Sequence, residues 1–236
     1  MTMESLFDRL FPLGHDIVFD GAFFTGHGKA GSHDVAVIGT RDKTPIDVKL
    51  AFRMAAAVLS IVRDHPGRPI FLPVDTSGQK MSRRDEILGL NSYVAHLAKC
   101  LDLARRKGHP IIGLVYGEAV SAGFLSSSLL ADACYALPEA EVRVMNLPAM
   151  SRITKIPLER LEQLSKVSAV FAPGVANYVA MGAVRGFWKD DLAKCLIAAI
   201  EDESDPAIDR RRIDGETRGG RTLARKISDR VRNDAA

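Results

Sequence analysis

Three short apolar runs that alternate with helical patterns constrain the fold of this chain more than any other feature. The runs are VAVIG (35–39), PIFLPV (69–74) and HPIIGLVY (109–116). Helical patterns, in which apolar residues recur about once per turn, cover residues 46–62, 83–106 and 124–131. Strands that alternate with helices in this way form a parallel sheet with helical crossovers. The pattern predicts an α/β fold with a helical C-terminal region beyond Pro148.

The composition predicts one domain over residues 1–236. A chain of 236 residues, 47% of them apolar, buries roughly 70–75% of its unfolded surface and needs no disulfide or structural metal. The cysteines at positions 100, 134 and 195 form no CxxC pair and fit a reducing compartment. No apolar run reaches the length of about 18 residues that spans a bilayer. We expect a cytoplasmic protein without a metal site or a membrane contact.

The positive charge is concentrated in a basic C-terminal tail, residues 206–236. The net charge is +3, and the tail holds nine Lys or Arg residues against five acidic ones. The rest of the chain is near neutral and poor in aromatic residues, which argues against a nucleic-acid partner. Leu223, Ile227 and Val231 form an apolar stripe at helical spacing. The tail is predicted to contain a helix that either docks on the domain or recognises an acidic partner.

Two glycine-bearing turns follow neighbouring predicted strands, at residues 75–79 and 117–123. Ligands in open α/β sheets bind at the carboxyl ends of the strands, so both turns face one edge. Where a strand gives way to a helix, backbone N–H groups lack an intrahelical acceptor. Two such turns can form an oxyanion hole, in which each donor contributes about 3–4 kcal/mol. The alternative is that their small residues only let helices pack closely on the sheet.

Three motifs carry a family resemblance. VDTSG (74–78), GHPIIGLVYGEAVSAG (108–123) and ADACYALPEAEVRVMN (131–146) resemble the carboxyltransferase branch of the crotonase superfamily. Within that branch, the whole chain resembles the malonate decarboxylase gamma subunits. The resemblance implies a crotonase-like ββα spiral core in which both turns supply backbone donors. Matched by position, the residues concerned are Gly78, Gln79, Ala122 and Gly123, with Ser121 where relatives carry serine or glycine.

The activity that the resemblance implies is decarboxylation of a malonyl thioester to an acetyl thioester. The acyl group would be carried on the phosphopantetheine-type arm of an acyl carrier protein, a beta subunit would complete the active site, and this chain would bind no cofactor. Contacts with substrate or partner are expected from Ser77 and Glu118. Arg83 and Arg84 begin the helix after Gly78, where cations are unfavourable for the helix dipole, so they either contact an anionic partner or form a solvated helix end. Two alternatives are a carboxyltransferase subunit of a biotin-dependent acyl-CoA carboxylase or decarboxylase, and a non-enzymatic scaffold for the beta subunit.

Single residues argue against two other activities of the superfamily. Clp-type serine proteases place their nucleophile in a turn like the one that holds Ser121, but they need a histidine to activate it. No histidine follows Ser121, and Leu147 occupies the position of the family's histidine. An enoyl-CoA hydratase needs an acid near Leu125, where the sequence has none.

Several polar residues near the turns have simpler interpretations. Asp75 is expected to brace its own turn. Glu118 either acts as an acid or base beside the donors or, more simply, anchors neighbouring backbone amides. The serines at 126–128 are expected either to bond back to the preceding helical turn or to pack at small-residue contacts. A polar, glycine-rich loop is expected to hold His27, Gly28 and His33.

Overall fold

An eight-stranded mixed sheet organises the residues that the computed structural model describes, which are 2–167, 174–202 and 208–235. The strands are β1 (Val18–Asp20), β2 (Phe23–Ala30), β3 (His33–Thr40), β4 (Ile70–Thr76), β5 (Ile111–Val120), β6 (Ala133–Ala136), β7 (Glu141–Arg143) and β8 (Gly186–Phe187). They lie in the order β1-β2-β3-β4-β5-β6-β8, and β7 pairs with the carboxyl end of β5. The β1–β2 and β2–β3 pairs are antiparallel and the others parallel, so the α/β prediction is confirmed.

Helices pack on both faces of this sheet. They are α1 (Met3–Leu10), α2 (Val48–Asp64), α3 (Arg83–Ile87), α4 (Leu90–Arg106), α5 (Ser121–Leu125), α6 (Leu147–Thr154), α7 (Leu158–Val167), α8 (Val175–Ala180), α9 (Leu192–Ile200), α10 (Arg211–Thr217) and α11 (Ala224–Asp234). α2 begins where the Asp47 carboxylate accepts the N–H of Leu50 at 2.8 Å. Among the helices described, none combines the length and the apolar composition needed to cross a membrane.

Alternate residues of the central strands point into two separate cores. Phe71 of β4 packs with Phe11 and Trp188 on the face that α1 and α9 cover. The next residue, Leu72, packs on the opposite face, under α2 and α4. All seven residues of β4 are buried, so packing from both sides fixes the position of its carboxyl end.

The helical pattern over residues 83–106 forms two helices, whereas one was predicted. Gly89 adopts a left-handed φ of 76° between α3 and α4, which interrupts the helix and which glycine adopts at little cost. At the other end of α4, Gly108 has a φ of 83° and stops the helix as a left-handed residue just past its end. The break makes α3 a separate short element directly after the first glycine-bearing turn.

The second predicted turn, residues 117–123, is strand as far as Val120, which corrects the prediction. Residues 118–120 of β5 pair with β7, and Ala119 also pairs with Thr76 of β4. The β4–β5 register shifts here, and a Cβ atom built on Gly117 would lie 2.4 Å from the Asp75 carboxylate. Only residues 121–123 leave the sheet, and they form the first turn of α5.

The helix predicted over residues 124–131 is also wrong. α5 ends at Leu125, and a separate 3₁₀ turn spans Ser128–Leu130. The hydroxyl groups of Ser126 and Ser127 each donate to a carbonyl four residues earlier at 2.6 Å, so their predicted back-bonding is confirmed. The Ser128 hydroxyl donates instead to the Leu72 carbonyl at 2.9 Å. This bond ties the segment to β4 and ends the helical pattern.

The polar loop predicted around His27, Gly28 and His33 is an antiparallel hairpin. His27 and Gly28 lie in β2, and His33 begins β3. The Phe11 ring covers Gly28 so closely that a Cβ atom there would lie 2.5 Å from the ring. Gly28 therefore allows the end of α1 to pack on the hairpin, and the glycine-rich composition misled the prediction.

The basic tail divides into a docked half and an exposed half; its residues 206, 207 and 236 lie outside the described residues. α10 packs so tightly on the end of α8 that a Cβ atom at Gly182 would lie 2.1 Å from the Arg211 carbonyl oxygen. The Arg218 guanidinium donates to the carbonyl of Val179, in α8, at 2.9 Å and to that of Val184, after α8, at 3.2 Å. The predicted apolar stripe remains 58–63% exposed at Leu223, Ile227 and Val231.

Candidate functional site

The two glycine-bearing turns contact each other backbone to backbone. We call residues 77–79, after β4, the first donor turn, and residues 121–123, the first turn of α5, the second donor turn. A Cβ atom built on Gly123 would lie 3.1 Å from the Cα atom of Gly78 and 2.9 Å from the Thr76 hydroxyl. The adjacent parallel strands β4 and β5 therefore bring the two sets of predicted donors together, as their shared sheet edge requires.

In the first donor turn, Gln79 carries the free backbone donor. The N–H of Ser77 donates to the Lys43 carbonyl at 3.2 Å, and the N–H of Gly78 donates to the Thr76 hydroxyl at 3.1 Å. The N–H of Gln79 meets no acceptor among the residues that the structure describes. Gly78 has a φ of 103°, which disfavours a side chain. Gly78 thus shapes the turn that presents the Gln79 N–H.

In the second donor turn, Ser121 holds the strained backbone and the next two residues hold the donors. Ser121 has a φ of 46°, a left-handed conformation that costs a residue with a side chain about 1–2 kcal/mol. It turns the chain sharply from β5 into α5. Ala122 and Gly123 are the second and third residues of α5, so the helix offers their N–H groups no acceptor.

A buried carboxylate, Asp75, links three segments beneath the donor turns. Asp75 is 8% exposed, accepts the N–H of Glu118 at 2.7 Å through Oδ1, and accepts the N–H of Lys43 at 2.9 Å through Oδ2. Glu118 belongs to β5, and Lys43 belongs to the loop after β3. The prediction that Asp75 braces its own turn is therefore wrong, because its carboxylate binds the two neighbouring segments.

Glu118 lies between two cations beside the second donor turn. Its Oε1 is 2.7 Å from the Lys43 ammonium, and its Oε2 accepts from the Arg143 guanidinium at 2.7 Å. The hydrogen bond from Lys43 is the largest of the effects that lower the pKa of Glu118. The prediction that Glu118 anchors backbone amides is wrong, because its carboxylate binds side-chain cations. A lowered pKa also makes it a poor general acid or base near neutral pH.

Glu118→Gln is expected to destabilise the chain by roughly 1–2 kcal/mol at neutral pH and to have no effect in acid. Because folding lowers the pKa of Glu118, its ion pairs stabilise the fold fully above the ordinary pKa of 4.5. That stabilisation is lost as the pH falls through the lowered folded value, where the wild-type side chain becomes as neutral as glutamine. Urea unfolding of both proteins from neutral pH downwards measures the difference.

The matched control for that experiment is Glu139→Gln, in the exposed turn between β6 and β7. Glu139→Gln removes one negative charge, as Glu118→Gln does, but at a position that has no ion pair with Lys43 or Arg143. The free energy of unfolding should therefore hardly change. A Glu118→Gln effect of the same size at every pH would contradict the ion-pair interpretation.

Arg83 and Arg84 are exposed on α3, just beyond the first donor turn. Neither guanidinium group has a hydrogen bond or ion pair to the described residues. Asp85 anchors α3 beneath them: it is 6% exposed and accepts the N–H of Val48, at the start of α2, at 3.0 Å. An anchored helix therefore presents two unpaired cations to solvent.

Three residues that shape the site were not predicted: Lys43, Thr76 and Arg143. The Thr76 hydroxyl donates to the Thr44 carbonyl at 2.7 Å and accepts from Gly78. A threonine two residues before a turn glycine is a recognisable signal for such a side-chain bond. No sequence signal links Lys43 or Arg143 to Glu118, because the three lie in distant segments that only the sheet brings together.

The described residues contain no cluster of His, Cys, Asp or Glu side chains that could hold a metal ion. The cysteines at 100 and 134 are buried, and burial raises the pKa of the Cys134 thiol to about 12, which makes it a weak nucleophile. The backbone N–H groups of the two adjacent turns can stabilise a negative charge.

Comparisons of sequence identify a family. A family model for the malonate decarboxylase gamma subunit matches residues 41–235. A malonyl-S-ACP:biotin-protein carboxyltransferase from Malonomonas rubra is 34% identical over an alignment of 202 residues, which covers 77% of this chain and 69% of that protein.

Comparisons of structure agree on the fold. A chain in the crystal structure of a Pseudomonas malonate decarboxylase hetero-tetramer in complex with coenzyme A is similar, with a TM-score of 0.77 and 25% identity over 97% of this chain and 96% of that one. A transcarboxylase 12S structure has a TM-score of 0.69 at 18% identity, over 84% of this chain and 40% of that one, and at this identity it shows the fold alone. The predicted crotonase-like fold is confirmed.

Proposed function

Because the chain belongs to the family of malonate decarboxylase gamma subunits, we propose that it acts with a beta subunit to decarboxylate a malonyl thioester on an acyl carrier protein. The product is the acetyl thioester. The observation that supports this most directly is the backbone contact between Gly78 and Gly123. It places the two turns that carry the proposed donors side by side.

Decarboxylation breaks the bond between the α-carbon and the carboxylate, and CO₂ leaves. The electron pair of that bond moves onto the thioester oxygen as an enolate, and a proton then adds to the α-carbon. Donors aimed at that oxygen bind the transition state more strongly than the substrate. We assign this role to the N–H groups of Gln79, Ala122 and Gly123, with Gly78 and Ser121 shaping the turns.

The exposed residues around the first donor turn are proposed to contact the substrate or a partner. Ser77, Arg83 and Arg84 all reach solvent close to Gln79. The two arginines fit an anionic group, such as the phosphate of a carrier arm. Glu118 differs from them, because its side chain is only 16% exposed and already holds two cations. We propose that Glu118 supports β5 and does not contact the substrate.

Decarboxylation by the purified chain alone is expected to be at least about tenfold slower than by the complex with the beta subunit, because one subunit supplies only part of the charge stabilisation. Formation of the acetyl thioester, followed by mass spectrometry, measures both rates, and the beta subunit alone is the control. An isolated chain as fast as the complex would contradict the proposal.

A second candidate function is supported by the Malonomonas rubra relative, whose name describes transfer between malonyl-S-ACP and a biotin protein. Both reactions pass through the same enolate, so the donor turns would serve either. Copurification from the native source separates them. A small thiol-bearing carrier among the companions favours the decarboxylase, whereas a biotin carrier favours the transferase.

The exposed half of the basic tail is proposed to recognise the acyl carrier protein. α11 holds four basic and two acidic side chains, and its apolar residues Ile227 and Val231 line a groove whose charged lining residues are Arg212, Arg232 and Asp209. An apolar stripe with a basic rim fits an acidic helix, and such a contact weakens as salt is added.

Deletion of residues 223–236 is expected to lower turnover of carrier-bound malonyl groups by roughly tenfold at low salt, because it removes the steering charges of α11. Turnover of a small malonyl thioester should be unchanged, since α10 stays docked on α8 through Gly182. Rates on both substrates, measured at low and high salt, provide the test. An equal loss on the two substrates would show that the deletion damages the domain and not carrier recognition.

A further inference from the structure

Lys43 bonds through three different groups to the first donor turn, to Asp75 of β4 and to Glu118 of β5. Its carbonyl accepts the N–H of Ser77 at 3.2 Å, in the first donor turn. Its ammonium lies 2.7 Å from Oε1 of Glu118, three residues before the second donor turn. Its own N–H donates to Asp75 at 2.9 Å, between the two. One residue of the loop after β3 is therefore bonded to the strand ends that carry both sets of donors.

The backbone of this loop is held in an unfavourable conformation. The N–H of Thr44 donates to the Arg41 carbonyl at 3.2 Å, which closes a four-residue turn. The two central residues, Asp42 and Lys43, have φ values of 61° and 50°. A turn with positive φ at both centres favours glycine, asparagine or aspartate, and lysine is a poor fit. A strained backbone of this kind persists only where surrounding contacts fix its conformation. The three bonds of Lys43 are such contacts.

The side chain of Lys43 bonds the loop directly to β5, in addition to the link through Asp75. Glu118 has an exposed fraction of only 16%, and Arg143 of β7 occupies its other carboxylate oxygen at 2.7 Å. Lys43 itself is 64% exposed, so its ammonium reaches Glu118 from the solvent side. Loss of this ammonium leaves the Glu118 carboxylate bonded to Arg143 of β7 alone, and the segment that holds the first donor turn then has one link fewer to β5.

We propose that Lys43 is a positioning residue that sets the relative placement of the two donor turns. The catalytic part of this inference rests on the proposed function, whereas the coupling of the turns does not. An oxyanion hole needs its donors at a fixed separation, and a small displacement of a donor lowers the reaction rate strongly. Lys43 touches no reacting atom in this role, so it affects the transition state and leaves substrate binding largely unchanged.

Lys43→Met, which keeps the length and removes the charge, provides the test, and Lys29→Met is its matched control. Lys29 is 63% exposed and lies 3.9 Å from Asp34 in the β2–β3 hairpin, so it has the same exposure without a link to either turn. In the full chain, we expect Lys43→Met to speed amide hydrogen exchange by about threefold or more in residues 77–80 and in residues 118–123. Lys43→Arg should restore slow exchange.

In the complex with the beta subunit, Lys43→Met is expected to lower kcat by roughly tenfold with KM within about twofold, less than the loss from deleting a donor. Lys43→Arg should recover most of kcat, and Lys29→Met should retain wild-type values. Unchanged exchange in either segment, or a fall in kcat/KM that comes from KM, would overturn the inference. A wild-type complex without decarboxylase activity would refute the proposed function, and the exchange experiment would still decide whether Lys43 couples the turns.

Discussion

Replacement of Ala122 by proline is expected to lower kcat of the assembled enzyme by about 10²–10³-fold, which is the loss measured when one oxyanion donor is removed elsewhere. Proline has no N–H, and its fixed φ is compatible with the first turn of a helix. Ala122 is the second residue of α5, so the change removes a donor without breaking a helical hydrogen bond. Thioester turnover and gel filtration of the complex measure activity and assembly together.

Ala122→Gly is the control for that variant. It keeps the N–H and removes only a methyl group, so turnover should remain close to wild type. If the proline variant assembles and loses activity, the chain is part of the catalytic site. If it assembles and keeps full activity, the chain serves the beta subunit only as a scaffold, and the donor assignment at the second turn is wrong.

Asp75→Ala is expected to destabilise the chain by about 2–6 kcal/mol, because two partly buried N–H groups lose their acceptor at a cost of about 1–3 kcal/mol each. Those groups belong to Lys43 and Glu118, at 2.9 and 2.7 Å from the carboxylate. Urea unfolding of the full chain measures the change. Activity of the folded fraction should fall too, since both strand ends beside the donor turns lose a link.

Asp75→Asn is the matched variant for this experiment. Its single carbonyl oxygen can accept one of the two N–H groups, so the expected loss is about half that of alanine. A destabilisation by alanine of less than about 1 kcal/mol would show that neither N–H depends on the carboxylate.

The sequence predicted the central strands and the meeting of the two turns for physical reasons. The central strands are buried on both faces of the sheet, and strands of this kind appear in a sequence as unbroken apolar runs. The runs here are VAVIG, PIFLPV and HPIIGLVY. The turns after β4 and β5 meet because carboxyl ends of parallel neighbours share an edge. The contact between Gly78 and Gly123 follows from that topology and needs no knowledge of side-chain packing.

The features that escaped prediction depend on contacts between distant segments. Residues 118–120 have turn-like composition, yet they are strand because β7 supplies a backbone partner. His27 lies in a hairpin whose glycines fit against Phe11 and other residues that the local pattern does not reveal. The bonds of Asp75 and Lys43 join strands and loops that lie more than thirty residues apart. Local periodicity carries no information on such pairs.

The contact between Gly78 and Gly123 has a consequence for the entropy of substrate binding. The two glycines let the turns approach closely, and the proposed donors are backbone N–H groups, so none of the donors needs a side-chain rotamer to be selected when the oxygen enters. A hole lined by flexible side chains would lose about 0.5–1.5 kcal/mol for each rotamer immobilised. In an oxyanion hole made of backbone donors, the conformational entropy of those donors is lost during folding, before any substrate binds.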